Sequence, residues 1–284
     1  MSLARRRRRR ASRGAAGHTL FELMTVIVII AVLCGLVRGS VQSIRTGKQA
    51  RVKAEIDALA LALEAYREKY SSYPPCDLHN PAGNRPLQQH VARAFPRYNL
   101  ANLTADLKTA GVDVTHFRPD QALVFWLRGF SPDASQPFTG TGEKTPLFEF
   151  DPSQLKFQGG SGNLASYCPP HGNDAPYVYF DAATYTLGSY TSPWIFRPPS
   201  QTSGVATVYI DDVDRDSQFT AGVDRWVNPT TFQLMAAGPD GLFSAAKFNK
   251  QRLYPTGTGY DPAGADDDNI TNFCGQSRLG DAKL

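Results

Sequence analysis

The sequence predicts an α+β fold in which a long N-terminal helix packs on a small antiparallel β-sheet head with long loops. Three observations predict it. No proline occurs between Arg13 and Pro74, in a chain that holds 20 of them. Over residues 52–70 the apolar side chains recur at helical steps. Beyond Pro75, short apolar segments alternate with stretches rich in Gly, Pro and Ser, notably 131–146 and 158–176.

The helix is expected from about Thr19 to Tyr70. Its first half, 18–38, is apolar: Leu23 to Val37 contains no charge, and the stretch back to Leu20 adds only Phe21 and Glu22. As a helix, Leu20 to Val37 would be about 27 Å long, close to the hydrocarbon thickness of a bilayer. The second half, 39–75, turns amphipathic. Val52, Ile56, Leu59, Leu63, Tyr66 and Tyr70 recur at steps of four and three, with charged residues mostly on the other faces. Ser71-Ser72-Tyr73-Pro74-Pro75 ends it, because the residue before a proline avoids helical backbone.

Residues 76–284 form the head. Strands are expected at 122–128 (ALVFWLR), 176–180 (PYVYF), 205–210 (VATVYI) and 231–236 (TFQLMA). Residues 77 to about 200 read as a large insertion, and 238–273 as an acidic C-terminal loop.

Charge and cysteine content narrow the function. The net charge of +4 belongs to residues 1–17, which carry seven arginines and no acid. Removing those seven leaves 23 basic against 26 acidic residues, a net of −3. A nucleic-acid binder keeps its basic excess on the folded domain, so no nucleic-acid partner is expected. Cys34 lies in the apolar run, so Cys76, Cys168 and Cys274 allow at most one internal bridge, whose pairing stays open.

An ordinary secretory signal is cut after its apolar region at small residues. Residues 38–45, RGSVQSIR, contain no such site. A glycine instead precedes the run, in Gly17-His18-Thr19-Leu20-Phe21-Glu22-Leu23-Met24-Thr25. This segment resembles the prepilin signature of the type IV pilin-like family, with His18 in place of the usual phenylalanine. The resemblance implies a pilin helix, cleavage between Gly17 and His18 by prepilin peptidase, and N-methylation of the new terminus. It also implies assembly into a homopolymeric filament. Physically, a carboxylate in an apolar helix needs a partner. Cleavage creates an α-amine at His18 that Glu22 of a neighbouring subunit can meet. The arginine-rich leader fits the positive-inside rule. The expected location is therefore the bacterial inner membrane, single-pass, with the head in the periplasm.

The C-terminal portion resembles the major pseudopilin of the type II secretion system. The matching residues are Gly238-Pro239-Asp240-Gly241, a loop running to Gly264, and Asp266-Asp267-Asp268-Asn269-Ile270-Thr271-Asn272-Phe273, with Phe273 where that family ends in tryptophan. The resemblance implies a calcium ion on this loop, with Asp240, Asp267, Asp268 and Asn269 as ligands. A second acidic run has Asp212, Asp214 and Asp216 at the D-x-D-x-D spacing of a calcium loop. It lacks glycine at the sixth position and glutamate at the twelfth. Cys76-x-x-His79 and Cys168-x-x-His171 together offer a Cys2His2 zinc set.

The expected function is a structural, non-enzymatic subunit of a secretion pseudopilus. By the resemblance, its partners are other copies of itself, minor pseudopilins, and an inner-membrane assembly platform with its ATPase. The alternatives are a minor or adhesive type IV pilin subunit, or a membrane-anchored enzyme or carbohydrate-binding head. No H-E-x-x-H, G-x-S-x-G, P-loop or Rossmann fingerprint speaks for catalysis.

Overall fold

The computed structural model describes residues 20–115, 119–157, 164–170, 174–185, 205–244, 252–257, 259–262, 264–275 and 278–281, with residues 35–44 described by backbone alone. The chain divides into two compact units, residues 1–46 and 47–284. Helix α1 runs from Leu20 to Tyr70. In the first unit, eleven large apolar side chains between Leu20 and Leu33 are 49–78% exposed. At 100° per residue, such closely spaced positions cover every face of a helix.

Two expectations are corrected. Among the described residues no helix is long and apolar enough to cross a membrane. This overturns the single-pass inner-membrane anchor and the membrane-spanning character expected of 18–38. The physical reason is length. The charge-free run from Leu23 to Val37 has fifteen residues, bounded by Glu22 and Arg38, where a span needs about 20. The pilin helix of the expectation, defined by a membrane-spanning first half, is therefore not present. The second correction concerns the head, which is not one small antiparallel sheet.

The second unit holds three small sheets and three short α-helices among its described residues. The helices are α2 (Arg85–Ala94), α3 (Leu103–Thr109) and α4 (Pro119–Leu127). Strands β1 (Leu155–Lys156) and β2 (Ser166–Tyr167) pair with each other. Strand β3 (Val178–Asp181) pairs antiparallel with β6 (Phe232–Ala236), which in turn pairs with β8 (Ile270–Thr271). Strand β4 (Tyr209–Asp211) lies between β5 (Arg225–Trp226), antiparallel, and β7 (Arg252–Tyr254), parallel.

The segment expected as a strand at 122–128 is instead most of α4. All nine residues of α4 are buried. An apolar run buried on every side has no polar face to reveal its period, so sequence alone does not separate helix from strand. Pro119 at the helix start suits the first turn, where its missing N–H is not needed. Trp126 Nε1 donates to Pro75 O at 2.9 Å, tying α4 to the segment that ends α1.

The core gathers on the second half of α1. Val52, Ile56, Leu59, Leu63 and Tyr66 are buried on one stripe. At the stripe's edges, Glu55 accepts from Tyr177 Oη at 2.6 Å and from Gln154 Nε2 at 3.0 Å. Lys53 Nζ donates to Thr271 O at 3.1 Å. Asn84 caps α2 by accepting from Leu87 N at 3.0 Å. This helix places His90 between Tyr66 Oη (2.8 Å from Nε2) and Ser72 Oγ (2.9 Å from Nδ1).

Burial, and then the nearby Arg93 charge, pull the His90 imidazole down to about 4. Between that value and the ordinary 6.5, the unfolded chain binds the proton and the native chain does not. The stability contributed by neutral His90 is therefore lost as pH falls through this window. Asp181, pushed up to about 6 by burial, works in the opposite sense over part of the same range. The comparison with His90→Gln separates the two. We expect wild type to lose about 2 kcal/mol more than the variant between pH 6.5 and 4.5 in urea unfolding. Parallel losses in the two proteins would mean that the imidazole is not the titrating group.

Candidate functional site

Three regions carry features that structural packing leaves unexplained. The first is the exposed apolar stretch of α1, which contains Glu22. Its first turn is tied locally, Thr25 Oγ1 donating to Glu22 O at 2.8 Å. Gly17 and His18, the expected cleavage pair, lie outside the described residues.

The second is the acidic C-terminal region. A turn closes from Gly238 to Gly241 (Gly241 N to Gly238 O, 2.9 Å), and Asp240 Oδ1 accepts from Leu242 N at 2.7 Å. Gly238 faces Asp268 so closely that a Cβ there would lie 2.1 Å from Asp268 Cγ. The Asp268 carboxyl is pushed up to about 7, chiefly by its withdrawal from water and next by the negative charge of Asp240. Its Oδ1 is buried with no hydrogen-bond partner. Asn269 is fully buried and donates from Nδ2 to Phe243 O at 2.8 Å and to Tyr209 Oη at 3.0 Å. Its own Oδ1 is also buried without a partner. The orphaned Asp268 Oδ1, beside the Asp240 carboxylate, fits an oxygen-preferring cation better than it fits a packed core.

The four residues expected as ligands are not equally placed. Asp240 and Asp268 are brought together. The Asp267 carboxyl turns toward Gly280, where a Cβ would lie 1.9 Å from its Oδ1. Asn269 reaches toward β4 and Phe243.

What holds this region was not legible in the sequence. Arg252 and Asp266 form an ion pair at 3.0 Å with side chains 3% and 0% exposed. Tyr209 Oη donates to Asp266 Oδ1 at 3.1 Å, Asp261 N donates to Asp266 Oδ2 at 3.1 Å, and Arg252 also donates to Phe243 O at 3.1 Å and to Val205 O. Burial raises the Asp266 carboxyl, and Arg252 opposes that rise. Adjacent aspartates at 266–268 look alike in sequence. Only folding separates the one that pairs with arginine from the one left facing another carboxylate.

In the third region, Asp212, Asp214 and Asp216 are also brought together, with one carboxylate oxygen of each within 4.8 Å of the others. Among the described residues this is the one set of three side chains placed to share an ion. The zinc set is not assembled there. Cys76 Sγ lies 3.6 Å from Thr184 Oγ1, Cys168 Sγ lies 3.9 Å from Asp174 O, and His171 falls outside the described residues. Cys34 is exposed, and Cys76, Cys168 and Cys274 are buried.

A cleft of about 490 Å³ opens beside the end of α1, lined by Asp77, His79, His90, Arg93 and Asp181 among others. Two of its titratable groups, Asp181 and His90, serve the fold. Asp181 accepts from Cys76 N at 2.8 Å and Ala183 N at 3.1 Å, and both His90 nitrogens are engaged.

No protein-family model, no curated protein and no solved structure matches this chain.

Truncating one partner of a buried ion pair leaves the other charge uncompensated. Arg252→Met should therefore lower unfolding free energy by about 3–5 kcal/mol. Arg252→Met combined with Asp266→Asn should recover most of that loss. Urea titration of the two variants checks both, and equal loss in single and double variants would rule out the charge as the cause.

Proposed function

We propose that the chain is a structural subunit of a type II secretion pseudopilus, processed after Gly17 and polymerising through the first part of α1. The observation that carries this reading is the exposure of apolar side chains on every face of that helix segment. A single groove covers one face of a helix and leaves the rest in water. Several neighbouring copies packed side by side cover them all. Exposed apolar patches of this extent mark interaction surfaces. Glu22 gives the bundle its register. Buried among apolar neighbours, it requires a cation, and the α-amine freed at His18 supplies one on the adjacent copy. Prepilin peptidase, minor pseudopilins, and an assembly platform with its ATPase complete the machinery that this reading entails.

Calcium is the ion proposed for the acidic C-terminal region, held by Asp240 and Asp268. Six to eight oxygens are needed, so main-chain carbonyls and water complete the shell.

Two measurements test the proposal. Glu22→Gln should reduce filament yield in a pelleting assay of processed protein. Truncating one member of a desolvated charge pair costs about 2–5 kcal/mol, roughly a thirtyfold or greater loss in subunit affinity. Filaments formed equally well by the variant would remove the assembly role of this carboxylate. Separately, millimolar calcium should raise the melting temperature over chelator, by about 2.7 kcal/mol of stability at 100 times the dissociation constant. Asp268→Asn should reduce that rise.

A further inference from the structure

We propose a second divalent-cation site, for calcium, in the loop that follows β4, formed by Asp212, Asp214 and Asp216 and independent of the assembly helix. Carboxylate oxygens from all three lie within 4.8 Å of one another. A cluster of surface aspartates is ordinarily a solvated loop, and Asp214 and Asp216 are indeed exposed. Asp212 is not. It is 1% exposed, and its Oδ1 is buried with no hydrogen-bond partner, while Oδ2 accepts from Ser217 N at 3.1 Å. A carboxyl oxygen buried without a partner is a penalty for a fold to retain. A cation shared with the two exposed carboxylates removes it.

The backbone is already arranged for such an ion. Counting Asp212 as the first position, the sixth is where a calcium loop takes glycine for a sharp turn. Ser217 stands there and adopts the left-handed conformation that glycine usually provides, with φ 66°. Asp224 closes the loop from within, its Oδ1 accepting from Val213 N at 3.0 Å and its Oδ2 from Thr220 N at 2.6 Å. The loop is anchored on β7 through Asp212 N to Tyr254 O at 2.9 Å. Carboxylate oxygens on a partly exposed loop suit calcium, which tolerates irregular coordination, better than magnesium, which demands a near-ideal octahedron. Without a bidentate glutamate the affinity belongs at the weak end of calcium loops, with a dissociation constant of about 10⁻⁴–10⁻³ M.

The test uses the full chain in mild detergent, with Asp268→Asn present to silence the other acidic region. Calcium at 10 mM should still raise the melting temperature by several degrees over chelator. Adding Asp214→Asn and Asp216→Asn, both exposed positions, should abolish the rise. Equilibrium dialysis with radioactive calcium gives a second readout on the otherwise unaltered protein, where Asp214→Asn/Asp216→Asn should bind one equivalent fewer than wild type. No response to calcium in the Asp268→Asn background, or equal calcium bound by the wild type and the double variant, would overturn the site. The orphaned oxygen would then be served by a buried water.

Discussion

Five side chains on one stripe of α1, from Val52 to Tyr66, form the surface on which the second unit is built. Strands β3, β6 and β8 and helices α2 and α4 all contribute residues to the cluster that this stripe enters. Each fully buried aliphatic side chain there contributes about 1.5–3 kcal/mol. The polar groups at its margins fix position. Tyr177 and Gln154 converge on Glu55 from one side, and Thr271 accepts Lys53 on the other. The stripe sets where the helix lies, and the flanking hydrogen bonds set how it is rotated.

A different rule governs the C-terminal region, where electrostatics rather than apolar area decides the arrangement. The Arg252–Asp266 pair is fully desolvated and hydrogen-bonded on all sides, the condition under which a buried pair is tolerated. It fixes Tyr209, and Tyr209 in turn fixes Asn269. The same short strand that contains Tyr209 ends at Asp211, directly before the Asp212 loop. Both acidic regions therefore hang from β4, which is only three residues long and held by neighbours on either side.

The parts of the fold legible in the sequence are those governed by local periodicity. The three-and-four spacing from Val52 to Tyr66 identified the buried face because one helix face meets the core and the other meets water. The expected segments at 176–180, 205–210 and 231–236 overlap β3, β4 and β6. The 122–128 segment misled because burial on every side erases periodicity. Sheet organisation was out of reach for another reason. Pairing of β4 with β7 in parallel, or of β6 with both β3 and β8, depends on contacts far apart in the chain. The acidic residues were legible as a composition, but the orphaned oxygens of Asp212, Asp268 and Asn269 arise only from tertiary burial. Ser217 shows the limit of residue-type rules. Glycine was absent where the turn called for it, and serine took the conformation instead.

The bond from Lys53 to Thr271 joins positions 218 residues apart, and Leu279 belongs to the same core as Ile56. The core is thus sealed by segments synthesised about 200 residues after the stripe they cover. An emerging polypeptide can wind α1 early, since helix formation is local. Its apolar stripe nevertheless has no permanent cover until β8 and the turn beyond it have left the ribosome. Loop closure over such a distance is slow compared with local folding. During that interval both ends of the same helix present apolar surface. A nascent chain of this kind has more need of a chaperone while it is being made than after it has folded.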